Sequence, residues 1–252
     1  MLRTLRTLAP IAAAALLFLV AWQAIVLIGQ LPPYILPGPG VVGVRFVEAW
    51  ADGTLAGHTA TTLTEIALGF GVGASLAVAI GTLLARSGLA ERLLSPYLVA
   101  AQATPILALA PLMALWFGTG LLSKVIICAL IVFFPVAVST MVGVRSLDPR
   151  LMELGRSFRA TRWQIVRTLG IPAALPFILG GMRVGVTLAV IGAVIAEWAG
   201  AERGLGVLIN LARGSLFDIP LMFATLVTLA VIGIALYVIV VIIERRLVGA
   251  RG

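Results

Sequence analysis

The side chains able to do chemistry in this sequence are few and scattered. His58 is the single histidine and Cys128 the single cysteine, so neither a histidine-based metal cluster nor an intrachain disulfide can form. Cys128 lies in the apolar run from Val125 to Val138 and reads as a small buried hydrophobe. Gly69-Phe70-Gly71-Val72-Gly73-Ala74 spells the GxGxxA dinucleotide fingerprint, but no strand precedes it and it sits inside an apolar span. The recurrence of Gly69, Gly73, Ala77 and Gly81 every four positions points instead to close helix packing in lipid. No G-x-x-x-x-G-K-[ST] sequence occurs, so the chain holds no P-loop for ATP, and no cofactor or metal is expected on it. Glu65 and Glu197 are the acids nearest membrane depth, where an unpaired charge is costly. Water-facing and structural roles are both open for them.

These residues must be carried by membrane helices. Of the 252 residues 61% are hydrophobic and 11% charged, with a mean hydropathy of +1.15, whereas about a quarter of an average soluble chain is charged. Lipid is therefore the solvent for much of the surface. The net charge of +8 comes from basic residues scattered singly between apolar runs, which argues against nucleic acid. A bilayer core takes about 20 apolar residues to cross as a helix, and six runs qualify: 9–29, 61–85, 93–117, 124–144, 175–196 and 220–243. The fold class read from them is an all-α polytopic membrane protein forming one domain over 1–252. The first run continues to Ile28 with no small-x-small cleavage site, so it is expected to stay attached.

Orientation follows from the basic residues in the connections. Arg3, Arg6, Arg86, Arg92, the cluster from Arg145 to Arg167, Arg245, Arg246 and Arg251 fall on one side, against Arg45, Lys124, Arg203 and Arg213 on the other. Both termini are accordingly expected in the cytoplasm, with Trp50, Trp116 and Trp198 near the outer interface. Arg183 lies a few residues inside the fifth run, where snorkelling to the cytoplasmic surface is the favoured reading over a gate.

The longest cytoplasmic connection, 145–172, has helix signals of its own. Asp148 can cap a helix that begins at Pro149, with Leu147 and Met152 at staple positions. Thr161 and Gln164 have capping-box spacing for a second helix, which Gly170 and Pro172 are expected to stop. The two helices should meet in a tight turn near Arg159 and Ala160.

Within this loop Glu153-Leu154-Gly155, followed by Arg159, Leu169, Ile171 and Pro172, resembles the Glu-Ala-Ala loop of ABC importer permeases, which runs EAA, three residues, G, nine residues, I-x-L-P. The resemblance continues through Ala108-Leu109-Ala110-Pro111-Leu112, Trp116-Phe117-Gly118, Ser123-Lys124, Phe133-Phe134-Pro135, Asp148-Pro149, and Ala196-Glu197-Trp198 with Gly204-Leu205-Gly206. These look like the nitrate, sulfonate and taurine branch. Gln102-Ala103-Thr104-Pro105 looks closest to relatives that carry vitamin precursors such as hydroxymethylpyrimidine or riboflavin.

What the resemblance implies is a permease of the bacterial inner membrane. Its coupling helix, between spans four and five, docks on a cytoplasmic ATPase through Glu153, Leu154, Gly155, Ser157, Phe158, Arg159, Ala160 and Thr161. Two copies of the ATPase would hold the ATP and Mg, an external binding protein would deliver solute, and a second permease copy, as a homodimer, would complete the pathway. Without the resemblance, a solvated charge on an amphipathic helix is the favoured reading of Glu153. Arg159 departs from the family pattern: it stands where the family has glycine, and a side chain in the left-handed region costs about 1 kcal/mol or more. Pro105, Pro111 and Pro135 can interrupt spans three and four, which makes Gln102, Thr104, Ser139 and Thr140 candidates for the translocation path or else for helix-to-helix hydrogen bonds. The rival reading is a self-sufficient secondary transporter or channel, which would show buried ionisable pairs or inverted halves.

Overall fold

A computed structural model describes residues 2–249. Met1 and residues 250–252, Arg251 of the expected cytoplasmic set among them, lie outside the described residues. The chain runs α1 (Leu2–Ile28), α2 (Pro39–Ala51), α3 (Thr54–Arg86), α4 (Gly88–Ala103), α5 (Ile106–Phe117), α6 (Leu121–Arg145), α7 (Pro149–Ser157), α8 (Arg162–Ile165), a π-turn (Val166–Gly170), α9 (Ile171–Trp198), α10 (Leu205–Arg213) and α11 (Ile219–Val248). Among the described residues there is no strand. α3, α6, α11 and the helix Arg162–Trp198 are long and apolar enough to cross a membrane, and α4 with α5 can form a fifth, broken span. The apolar part of α1, Ala12–Ile28, is shorter.

α6 is the central post, with α3 on one side and α9 on the other. Small residues let the backbones approach. A Cβ on Gly73 would lie 2.5 Å from the Ala129 carbonyl oxygen, and one on Gly81 would lie 2.6 Å from that of Ala137. Ala77 between them is fully buried, so the four-residue stripe is the α3 face that meets α6. On the other side of α6, Gly181 of α9 sits against Ser139 and Gly143 of α6 sits against Phe177. Cys128 is buried in this core.

Of the three prolines expected to interrupt spans three and four, Pro105 does so: the run 93–117 breaks at Thr104–Pro105, and its halves are bent by 95°. Pro105 has no N–H to donate and disfavours helical geometry in Thr104 before it, whose ψ is 126°. Pro111 and Pro135, by contrast, lie inside continuous helices. Nor do Gly170 and Pro172 stop the second loop helix. Gly170 keeps helical angles, and the Ile171 N–H donates to Val166 rather than to Arg167. The extra residue in this π-turn accommodates the proline ring that would clash with a regular turn. The helix therefore runs from Arg162 to Trp198, and the fifth span begins inside the loop expected over 145–172.

Candidate functional sites on the two membrane faces

The loop site is built as its caps require. The Asp148 carboxylate accepts the Arg150 N–H at 2.8 Å. Thr161 and Gln164 close a full capping box, with Gln164 N–H to Thr161 Oγ1 at 3.3 Å and Thr161 N–H to Gln164 Oε1 at 2.7 Å. Between them Arg159 has φ +56°. The turn is a Schellman motif: Ala160 N–H donates to Gly155 O at 3.0 Å, and Arg159 N–H to Arg156 O at 2.9 Å. Backbone amides satisfy these carbonyls, so the guanidinium is not needed to close the turn. It is exposed. Gly155 is small because Ile165 of α8 lies 3.1 Å from where its Cβ would be. Glu153, Leu154, Ser157, Phe158 and Thr161 all face outward and Ala160 is half-buried. Phe158 is 79% exposed.

A second site lies at the opposite ends of α3 and α9, where α10 begins. Glu197 is 1% exposed. It accepts the Thr62 hydroxyl at 2.6 Å and the Gly206 N–H. Thr62 in turn accepts the Leu205 N–H at 2.8 Å, and His58 Nδ1 lies 2.8 Å from the Gly204 carbonyl oxygen and 3.0 Å from its nitrogen, the tautomer deciding which of the two it bonds. A carboxylate thus sits on the N-terminal amides of α10, where the helix dipole favours it. Gly204 has φ +137°, and a Cβ there would run into the Glu197 carboxyl. Glu65, also buried, lies beside Glu197 with Lys124 as the neighbouring cation. The Lys124 ammonium donates to the carbonyls of Thr119 and Gly120. Trp198 Nε1 donates to Gly206 O at 3.0 Å. For Glu197 these bonds support the structural role, whereas Glu65 keeps a buried carboxyl oxygen without a hydrogen-bond partner among the described residues. The sequence signal was the run Gly204-Leu205-Gly206 after Glu197; its partners Thr62 and His58 carried none.

The pathway candidates do not converge. Gln102 and Thr104 are exposed near the α4–α5 break. Ser139 abuts Gly181, and Thr140 is fully buried beside Gly81, with its hydroxyl donating to Val136 O at 2.7 Å. Arg183 does not snorkel alone. Its Nη2 donates to Glu244 Oε1 of α11 at 3.3 Å, while Nε lies 3.0 Å from Oε2 at an angle unfit for a hydrogen bond. Two further ion pairs tie helix ends. Arg145 grips Glu91 at 2.6 and 2.9 Å, and Arg45 of α2 binds Asp218, the N-cap of α11, at 2.7 Å. That contact raises the Arg45 guanidinium above its ordinary range.

The helical bundle and its projecting loop define an integral membrane protein of the transporter-permease class. Residues 71–249 match the family described as "Binding-protein-dependent transport system inner membrane component", and the chain belongs to that family. It is an ABC importer permease. It is 46% identical over 92% of its length to the riboflavin transport system permease protein RibX of Chloroflexus aurantiacus, covering 87% of that protein. It is 36% identical to the formylaminopyrimidine transport permease protein ThiX of Halalkalibacterium halodurans, over 87% of this chain and 86% of that one. In fold it is similar to a chain of the inward-facing MetNI methionine ABC transporter, with TM-score 0.67 and 20% identity over 77% of this chain and 95% of that one.

Proposed function

We propose that the chain moves a heteroaromatic vitamin or vitamin precursor, of the riboflavin or aminopyrimidine kind, into the cytoplasm by alternating access. ATP hydrolysis takes place on separate subunits. α1 and the bent α4–α5 pair complete six spans, both termini are cytoplasmic, and a second copy of the chain forms the other half of the pathway. An external binding protein delivers the solute. Each copy presents α7 and α8 to one of two ATPase subunits, which hold the ATP and Mg. Gln102 and Thr104, beside the break in the third span, line the route, while Ser139 and Thr140 hold α6 against its neighbours. The observation that carries the coupling role is the exposed row Leu151, Leu154 and Phe158 on a capped helix. Burying side chains of this kind contributes about 1.5–3 kcal/mol each, which gives a partner protein a reason to bind there. The substrate class follows the relatives named for riboflavin and formylaminopyrimidine.

The test has two parts. In a Cys128→Ser background, Glu202→Cys should react with an impermeant maleimide from outside, and Arg162→Cys only from inside; the reverse would overturn the orientation and the loop reading with it. Proteoliposomes holding the permease, its ATPase and its binding protein should take up labelled riboflavin or aminopyrimidine in an ATP-dependent manner. Uptake of taurine or an alkanesulfonate instead would refute the substrate class and leave the permease role standing.

A further inference from the structure

A cavity of about 720 Å³ lies between the end of α3, the end of α6 and the loop helices. Apart from Thr82 and two arginines its walls are apolar: Val78 of α3, Val144 of α6, Met152 of α7, Trp163 of α8, and Ile171 and Ile178 of α9. Such walls offer water too few polar partners to hold it, and they offer a polar solute nothing to orient it. The cavity's charge is at one end. Arg86 and Arg145 both border it. Arg145 is already committed to Glu91 and to the carbonyls of Leu84 and Ala85, whereas Arg86 makes no hydrogen bond or ion pair among the described residues. Along α3 the distance from Arg86 in to Val78 is about 12 Å, and Ile171 to Ile178 spans a similar depth on α9. The result is a slot that runs along α3 and α9, mostly apolar inside, with a cation at its mouth that is unpaired among the described residues.

We propose that this slot holds one acyl chain of an anionic phospholipid, with the lipid phosphate on Arg86. The charge complementarity selects the occupant: a zwitterionic lipid gains little at an uncompensated guanidinium, while an anionic headgroup gains about 1 kcal/mol per basic residue near the surface. Trp163, 66% exposed, stands between the slot and the surrounding medium, where an indole is suited to the boundary between lipid and water. That the lipid belongs to the cytoplasmic leaflet follows from the orientation proposed above. Occupancy of the slot does not, so the experiment reads it separately.

The full chain is placed in phosphatidylcholine nanodiscs that contain phosphatidylglycerol brominated on its acyl chain, or phosphatidylcholine brominated in the same way at equal mole fraction. The Trp163 signal is the fluorescence difference between wild type and Trp163→Phe. Brominated phosphatidylglycerol should quench that signal with an apparent affinity about fivefold higher than brominated phosphatidylcholine. Arg86→Ala should abolish the ratio, and Arg92→Ala, an exposed arginine on α4 outside the cavity lining, should preserve it. Equal quenching by both lipids, a preference that survives Arg86→Ala, or no quenching of Trp163 by either would each overturn the proposal. Because Arg86 and Trp163 are exposed, their variants are expected to keep the wild-type melting temperature, which is checked on the same samples.

Discussion

The hydroxyl of Thr62 on α3 and the carboxylate of Glu197 on α9 meet at 2.6 Å, and through them α10 is fastened to both spans. Thr62→Val keeps the side-chain volume but strands the Leu205 N–H and removes one donor from a buried carboxylate. An unsatisfied buried group costs about 1–3 kcal/mol. The variant should lower the melting temperature of the detergent-purified chain, while Thr64→Val, at an exposed position, should leave it unchanged. Gly204→Ala should be worse than Thr62→Val, because it adds a left-handed residue to a collision with Glu197. Equal melting of Thr62→Val and wild type would show that the junction is not a structural fastening.

The α3 stripe gives a sharper pair of variants two residues apart. Gly73→Ala forces α3 away from Ala129 and should destabilise by about 1–3 kcal/mol. Gly71→Ala meets nothing within 4 Å and should be neutral or stabilising by up to about 1 kcal/mol, the usual gain from replacing helical glycine. Melting temperatures that ranked the two the other way would place the wrong face of α3 against α6.

Arg183 and Glu244 should behave as a pair. Arg183→Leu leaves an uncompensated carboxylate near membrane depth and should cost about 2–4 kcal/mol, while Arg183→Leu with Glu244→Leu should recover most of that loss. A double variant as unstable as the sum of the singles would mean that the two charges act separately.

In the loop, Arg159→Gly should stabilise the isolated chain by about 1 kcal/mol, since it releases a left-handed arginine. If the guanidinium serves a contact on the ATPase, the same change should weaken co-purification of the assembled complex. Glu153→Lys should leave the chain inserted and lower solute-stimulated ATP hydrolysis; wild-type turnover would make Glu153 a solvated charge.

The parts legible in the sequence are those set by local rules. The caps at Asp148 and Thr161 and the turn at Arg159 depend on residues within a few positions, and so does the glycine stripe, whose period of four fixes a helix face before its partner is known. Gly170 and Pro172 misled because they usually end soluble helices, whereas a π-turn lets the chain continue where lipid penalises exposed carbonyls. Thr62, His58 and Asp218 were silent. Their roles depend on residues more than 130 positions away, and no periodicity encodes such a meeting. An ionisable pair of the kind expected of a secondary transporter is present in Arg183 with Glu244, but it is part-buried and joins α9 to α11.

The helix from Arg162 to Trp198 has 37 residues, so it is a rod about 55 Å long. One end carries the capping box of the loop, and the other carries Glu197 seated on the amides of α10. The π-turn at Val166–Gly170 keeps the backbone hydrogen-bonded through that point, and it is also the place where such a helix bends most readily. The loop and the α10 junction are therefore the two ends of one continuous hydrogen-bonded helix.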